Sequence, residues 1–178
     1  MALTATLFSF KLDIANQDSN RYTSHQLKVA QHPSETLERM VARVLAYCLW
    51  EEEGIAFGRG LSTPEDADLW VLNLRDEPIH WIEVGEPDAN RLKKAARKGC
   101  RGSVLCYTRT APVWWKKNRN DLVKVEGVEF QQVSWESVQE LAALVSRNNH
   151  WSVSITDNTF YISGDQNESL EITITSLQ

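Results

Sequence analysis

The residues between Pro33 and Thr108 constrain the fold most, because the hydrophobic period changes there from helical to strand-like and back. Apolar residues at helical spacing predict a first helix over residues 34–52, with Ser34 as its N-cap. Apolar runs and turn signals then predict, in order, strands at 55–61, 68–74 and 79–85, a helix at 89–98 and a strand at 103–108. Strands that alternate with helices in this way are typical of α/β domains.

Both ends of the chain are predicted to add antiparallel strands. Residues 8–14 and 22–30 alternate apolar and polar side chains around a polar turn, which predicts a hairpin. Residues 151–177 alternate similarly and predict a meander with one solvated face. Between them lie a third helix that carries Trp114-Trp115, a strand at 128–133 and a fourth helix at 135–147. Because the sequence has no repeat and no linker rich in proline, glycine or serine, we expect a single mixed α/β domain over residues 1–178.

The composition favours a cytoplasmic protein that does not associate with membranes. Hydrophobic residues make up 42% and charged residues 24% of the chain, which is the range of globular proteins. The first residues lack the basic and apolar regions of a secretory signal, and the longest apolar run, 44–50, is too short to cross a bilayer. The three cysteines form no closely spaced pair and the four histidines are scattered, so neither a disulfide framework nor a zinc site is expected.

Positive charge is concentrated in the window from Arg91 to Lys124. This window holds eleven Lys and Arg residues and one acid, so its net charge is +10, whereas the rest of the chain carries about −15. Such segregation predicts a surface for a polyanion, and we expect nucleic acid as the partner. Trp114-Trp115 either stacks on bases there or packs in the core. The predicted contact residues are Arg91, Lys94, Arg97, Lys98, Arg101, Lys116 and Lys117.

Two acidic residues are the main candidates for a site. Glu83 interrupts an apolar strand, where an ionised carboxylate is costly unless a cation or a donor meets it. Asp68 opens the preceding strand, so the two carboxylates, with a carbonyl such as that of Val84, would suit Mg²⁺ or Mn²⁺. Magnesium held there could polarise a phosphodiester. In the alternative, Glu83 pairs with a nearby Arg or Lys, and Asp68 belongs to a solvated acidic loop.

Lys93 and Glu38 are further candidates for this site. Lys93 lies on one border of the apolar face of the second helix, which begins soon after Glu83, so its side chain is expected to reach back toward the acids. Glu38 lies on the border of the apolar arc of the first helix, where it would be a third acid turned toward the same cleft. The alternative for both residues is a solvated position on the rim of their helices.

Several short motifs together resemble the YaeQ family of bacterial proteins over essentially the whole chain. They are His32-Pro33-Ser34-Glu35-Thr36, Gly60-Leu61, the run from Trp81 to Asp88, Arg91-Leu92-Lys93-Lys94-Ala95 and Trp114-Trp115. The resemblance implies membership of the PD-(D/E)XK nuclease-like superfamily. The fold expected from it is a restriction-endonuclease-like core of a helix, three strands, a helix and a strand, with antiparallel strands added from both termini.

The resemblance also implies roles for individual residues. Asp68 stands for the first acid of the superfamily and Glu83 for the acid of its E-x-K strand. The lysine position of that strand is Gly85 here, and in some members of the superfamily the lysine comes instead from the following helix, where Lys93 or Lys94 is the candidate.

Three functions follow as hypotheses. The first is a magnesium-dependent phosphodiesterase acting on nucleic acid, in which Asp68 and Glu83 hold the metal, Lys93 steadies the water or phosphate, and Glu38 assists. The second is a catalytically silent relative that binds nucleic acid, or the transcription or repair machinery, through the same surface. The third is a regulator that recognises phosphate or acidic groups without nucleic acid. The sequence has no P-loop, G-x-S-x-G or H-E-x-x-H motif, so nucleotide-driven chemistry and hydrolase triads are not indicated.

Overall fold

The computed structural model describes residues 4–166 and 169–178. In this part of the chain it has four helices and eleven strands. Their bounds are β1 (Thr6–Asn16), β2 (Arg21–Gln31), α1 (Leu37–Leu49), β3 (Ile55–Phe57), β4 (Leu69–Leu72), β5 (Pro78–Val84), α2 (Ala89–Arg97), β6 (Arg101–Cys106), α3 (Ala111–Leu122), β7 (Val128–Gln132), α4 (Trp135–Ala143), β8 (Asn148–Thr156), β9 (Thr159–Gly164), β10 (Ser169–Thr173) and β11 (Thr175–Ser176).

The strands form two mixed sheets rather than one. The first sheet has the order β10-β9-β8-β1-β2 and the second has the order β11-β7-β6-β5-β4-β3. The predicted hairpin and meander are both present, but β1 and β8 pair in parallel and join them into a sheet of their own. In the second sheet β5, β6 and β7 are parallel, and the other pairs are antiparallel.

Helices α1 and α4 lie between the two sheets, and α2 and α3 cover the other face of the second sheet. All residues from 40 to 48 in α1 are buried, because apolar side chains of both sheets surround the helix. The predicted order of helix, three strands, helix and strand is present as α1, β3 to β5, α2 and β6. In the described residues no helix has the length and hydrophobicity that a membrane span needs.

The start and end of α1 differ from the sequence prediction. Thr36, not Ser34, is the N-cap, and its hydroxyl oxygen accepts a hydrogen bond from the Arg39 amide at 3.2 Å. Ser34 lies in the preceding turn, where its backbone and hydroxyl contact the His32 ring. The helix ends at Leu49 rather than at residue 52. The N-cap of the first helix therefore lies two residues later than its serine signal indicates.

The strands on either side of the acidic positions are shorter than predicted. β3 ends at Phe57, because residues 58–66 form a loop that turns at Gly60 with a φ of +92°. β4 ends at Leu72, since the Asn73 side chain and backbone close a turn with Glu77. These two shortened strands leave the beginning of β4 and the end of β5 beside the 58–66 loop.

Trp114 and Trp115 pack against the second sheet. Both are partly buried, and their rings lie 6.5 Å and 4.9 Å from the Phe130 ring centroid. Of the two predicted roles for Trp114 and Trp115, the structure therefore shows packing in the core.

The N-cap assignment predicts unequal effects of two alanine substitutions. We expect Thr36→Ala to lower the free energy of unfolding by about 1 kcal/mol, because the Arg39 amide loses its acceptor, whereas Ser34→Ala should change it by less than about 0.5 kcal/mol. Urea denaturation of both variants measures this difference, and Thr36→Ser should restore the stability. A larger loss in Ser34→Ala than in Thr36→Ala would contradict the assignment.

Candidate functional site

The candidate site is a cleft of about 300 Å³ at the start of β4 and the end of β5. Leu69 pairs with Ile82 in the antiparallel register, so the preceding residue, Asp68, lies opposite Glu83. Both acids line the cleft together with Arg39, Arg91 and the loop at residues 60–67. The structure therefore brings together the two acids that the sequence predicts.

Both oxygens of the Asp68 carboxylate accept hydrogen bonds from the protein. One accepts from the Val84 amide at 2.8 Å, and the other forms an ion pair with a terminal nitrogen of Arg39. The side chain is 10% exposed. Asp68 is thus a paired carboxylate at the edge of the cleft and not the solvated loop acid of the alternative.

Glu83 is more deeply buried, with a side chain 4% exposed. Its Oε1 accepts a hydrogen bond from the Trp81 indole at 2.5 Å, and its Oε2 lies 2.8 Å from Arg91 Nε. Burial, and next the negative charge of Asp68, raise the pKa of Glu83 to about 7, while the bonds from Arg91 and Trp81 act in the opposite direction. The ion pair with a basic residue, which was the alternative for Glu83, is present.

Arg91 is the cation that contacts Glu83, and it also contacts the loop. Its two terminal nitrogens donate to the Pro64 carbonyl at 2.6 Å and to the Asp66 carbonyl at 2.7 Å. Asp88 caps α2 by accepting from the Arg91 amide at 2.8 Å, which fixes the first turn of the helix beside Glu83. One guanidinium group therefore joins α2, β5 and the 58–66 loop.

Arg39 is held by a second buried network on α1. Its other terminal nitrogen donates to Glu35 at 2.8 Å, and Glu35 also receives two bonds of 2.8 Å from Arg43. Arg43 further donates to the Ala30 carbonyl. This network is not among the predicted contacts, although the spacing of four residues between Glu35, Arg39 and Arg43 places the three charges on one face of the helix predicted at 34–52.

The other predicted site residues lie elsewhere. Lys93 is exposed, and its positive charge helps to lower the pKa of Asp121 in α3. Lys94 forms an ion pair with Glu65 at 3.1 Å. Glu38 is half-buried on α1 and does not line the cleft. Among the residues that the structure describes, neither Lys93 nor Glu38 makes a hydrogen bond or an ion pair with the two acids.

Gly85 has a backbone conformation that explains the missing strand lysine. Its φ is +115°, and its amide donates to the Leu105 carbonyl at 2.9 Å as β5 ends. A lysine would be strained at this φ, because side chains with a Cβ rarely adopt it. A Cβ would point toward the Tyr107 ring, 3.9 Å away. The strand geometry therefore disfavours a lysine at this position.

The arrangement of the acids does not fit a magnesium or manganese ion. All four oxygens of Asp68 and Glu83 accept from a donor of the chain, and each carboxylate is paired with one guanidinium group. Within residues 4–166 and 169–178, no group of three or more His, Cys, Asp or Glu side chains is arranged to hold a metal. A hard cation would have to displace an arginine before it could reach the carboxylates.

The predicted nucleic-acid contact residues fall into two groups. Arg91, Lys94 and Arg101 are engaged in ion pairs with Glu83, Glu65 and Glu52. The other four are exposed on or just after α2 and on α3, and no ion pair is present for them in the described part of the chain: Arg97, Lys98, Lys116 and Lys117. About half of the predicted surface is thus available for a partner.

The fold and the cleft define a two-sheet, four-helix α/β protein with an acid pair neutralised by arginines. The family model described as YaeQ protein matches residues 1–174. The chain therefore belongs to the YaeQ family, as its motifs indicate.

Curated relatives and solved structures support the same assignment. The chain is 32% identical to "Uncharacterized protein YaeQ" of Escherichia coli (strain K12) and 31% identical to that of Salmonella typhi, over 100% of this chain and 98% of each relative. The crystal structure of YaeQ from Xanthomonas axonopodis pv. citri has a TM-score of 0.93 at 33% identity, covering 98% of this chain and 99% of that chain. YaeQ from Pseudomonas syringae has a TM-score of 0.91 at 36% identity, covering 98% and 96%.

The raised pKa of Glu83 predicts a pH dependence of stability. The folded protein holds the Glu83 proton up to a pH of about 7, whereas the unfolded chain releases it near its ordinary pKa of 4.5. Between about pH 5 and 8, rising pH should therefore lower the stability of the wild type relative to Glu83→Gln by up to about 3 kcal/mol.

Urea denaturation across this pH range measures the difference between the two proteins. Glu65→Gln, which changes an exposed acid, is the matched control and should follow the wild type. Parallel curves for the wild type and Glu83→Gln would contradict the shifted pKa.

Proposed function

We propose that this protein binds nucleic acid through the basic outer side of α2 and α3, without hydrolysing it at Asp68 and Glu83. The observation that carries this proposal is a set of six exposed cations on these helices and the α2 C-cap. In the described residues these six make no ion pair, and they are Lys93, Arg97, Lys98, Lys116, Lys117 and Arg119. We place this activity in the cytoplasm of a bacterial cell.

Acids offset only part of the charge of this surface, because α2 and α3 together carry one acid. Asp121 is the acid of α2 and α3, and it is paired with Lys124 at 3.0 Å. The inner side of both helices packs on the second sheet, so the cations cannot turn inward. An uncompensated basic surface on a chain that is acidic elsewhere attracts a phosphate backbone and releases counterions when it binds.

The aromatic residues of this surface favour a duplex over a single strand. Proteins that bind single strands stack bases on exposed aromatic rings. Here Trp114 and Trp115 are used for packing against Phe130. Contacts of the six cations would therefore go to the backbone, which a duplex presents in a regular array.

We also propose that the core is of the PD-(D/E)XK type. Its support is the order α1, β3 to β5, α2 and β6, with Asp68 opposite Glu83 on neighbouring strands. In this view the acid positions remain, while the strand lysine is replaced by Gly85 and the acids are paired with arginines. The protein would then be a silent binder built on a nuclease-like core.

The magnesium-dependent phosphodiesterase is the competing proposal. It is favoured by one observation, which is that Asp68 and Glu83 face the same open cleft. In it, Lys93 would have to approach the acids when substrate binds. Magnesium-dependent nicking of plasmid DNA that is lost in Lys93→Ala and retained in Lys94→Ala would support it against the silent binder.

Charge reversal on α2 and α3 tests the binding proposal. We expect the triple variant Arg97→Glu, Lys98→Glu, Lys117→Glu to lose most of its affinity for a duplex of about 20 base pairs at about 50 mM salt. The slope of log affinity against log salt should fall in magnitude by about one for each phosphate contact removed. Fluorescence anisotropy of a labelled duplex measures both quantities.

The matched control places the same kind of change on the other sheet. Lys11 and Lys28 lie on the solvated face of the first sheet, and their reversal to Glu should leave both the affinity and the slope nearly as in the wild type. The double variant Lys98→Glu, Lys117→Glu changes the net charge by the same amount and is the test variant compared with this control. Equal losses in the control and the test variant would show that only net charge matters. Unchanged binding by the triple variant would rule out this surface.

A further inference from the structure

We infer that two copies of this chain associate through strand β2, which forms one edge of the first sheet, so that the sheets of both copies become continuous across a two-fold axis. In the described residues β2 pairs with β1 over its whole length, and no strand lies on its other side. The inference concerns the first sheet and does not depend on nucleic-acid binding by α2 and α3.

β2 lacks the features that normally protect an edge strand. Its eleven residues contain no proline, and its register with β1 continues without a bulge. Lys28, the charged residue on its solvated face, donates to Ser9 of β1 at 2.7 Å and is thus turned away from the edge. The other edge strands in the described part of the chain are short, because β10 has five residues, β3 three and β11 two. A long, regular edge without protection is a template for pairing with another chain.

Alternate residues of β2 direct their backbone groups away from β1. The Ser9 amide donates to the Arg147 carbonyl, and the Gln17 amide donates in the same way to Ile155 of β8. The odd-numbered residues of β1 therefore face β8, and its even-numbered residues face β2. The hairpin register places these even-numbered residues opposite odd-numbered residues of β2. The amides and carbonyls at the free edge are consequently those of the even-numbered residues of β2, which are Tyr22, Ser24, Gln26, Lys28 and Ala30.

An arginine already closes one end of this edge. Arg43 of α1 donates to the Ala30 carbonyl at 2.8 Å and is held in place by two bonds to Glu35. For the four residues before Ala30, no hydrogen bond to an outward amide or carbonyl is present within residues 4–166 and 169–178. The free segment of the edge is therefore 22–28.

This free segment is self-complementary in one antiparallel register. When two copies are centred on His25, Tyr22 lies opposite Lys28 and Ser24 lies opposite Gln26. All four free residues then form hydrogen-bonded pairs. A register shifted toward Ala30 would need the carbonyl that Arg43 occupies, and one shifted the other way would place Lys28 against the turn at 17–20. A second copy of β2 is thus the strand that fits the whole edge.

The charges of the edge do not oppose this register. On the outer side, Lys28 meets Tyr22 of the second copy, whose ring is exposed. On the inner side, the two His25 side chains face each other, and each bonds to Glu51 of its own chain at 3.0 Å. Arg21, which also points inward, pairs with the same Glu51. Because each chain compensates its own inner charges, like charges are not left facing one another.

The molar mass of the wild type and of Gln26→Pro in solution tests the inference. By sedimentation velocity we expect the wild type to approach twice the chain mass of 20.3 kDa at about 100 µM and to dissociate near about 1 µM, because a single strand pairing is a small interface. Gln26→Pro should keep the mass of one chain, since proline lacks the outward N–H and the Gln26 amide makes no bond to β1. Gln26→Ala retains the N–H and is the matched control, which should dimerise like the wild type.

Three variants test the register and do not rely on a folded proline variant. Ser24→Lys with Gln26→Lys places lysines opposite lysines and should abolish the dimer, whereas Ser24→Glu with Gln26→Lys places opposite charges there and should retain it. His25→Cys should form a disulfide between two chains on oxidation, because position 25 lies on the axis and the three native cysteines are buried. Thr23→Cys, on the same face but away from the axis, is its control and should not cross-link.

The inference is overturned if the wild type keeps the mass of one chain up to about 200 µM, in which case the edge is open to a strand of another protein. A dimer that persists in the lysine double variant, or cross-linking of Thr23→Cys as efficient as that of His25→Cys, would also overturn it. These measurements contain no nucleic acid, so their outcome is separate from that of the duplex-binding experiment.

Discussion

The structure depends on the pairing of buried charges between α1 and the strands that follow it. Because α1 is enclosed by both sheets, Glu35 and Arg43 must satisfy each other there, and the two bonds between them achieve this. Arg39 extends the network to Asp68, whose second oxygen binds the Val84 amide. The position of Arg39 on the buried helix α1 thus determines that the negative charge of Asp68 in the cleft is paired with a cation.

The charged residues of the protein fall into two regions that differ in how far the charges are paired. In the cleft, two carboxylates and two guanidinium groups compensate one another, and every carboxylate oxygen of the pair has a donor. On α2, its C-cap and α3, six exposed cations without an ion pair in the described residues outnumber the one acid, Asp121. An internally neutral cleft beside an unpaired basic surface favours binding of a polyanion over metal-assisted attack on it.

The order of elements could be predicted from the sequence, because it follows from the hydrophobic period. The acid pair could be predicted because one of its members interrupts an apolar strand. The joining of the two ends into a separate sheet could not, since β1 and β8 are far apart in the sequence. Beside their parallel pairing, the Asn149 side chain donates to the Ser9 carbonyl, 140 positions away. The hydrophobic periodicity places cations on both borders of the apolar face of α2, but it does not indicate which border faces β5. For this reason Arg91, and not Lys93, proved to be the partner of Glu83.

We propose that arginines, and not a metal, neutralise Asp68 and Glu83 while a duplex is bound at α2 and α3. Anomalous diffraction from crystals of the wild-type protein grown with a short DNA duplex and Mn²⁺ tests it most directly. The account predicts a duplex backbone along α2 and α3, Arg91 still bonded to Glu83, and no manganese peak between the two acids. A manganese peak at that position with Arg91 displaced would contradict it.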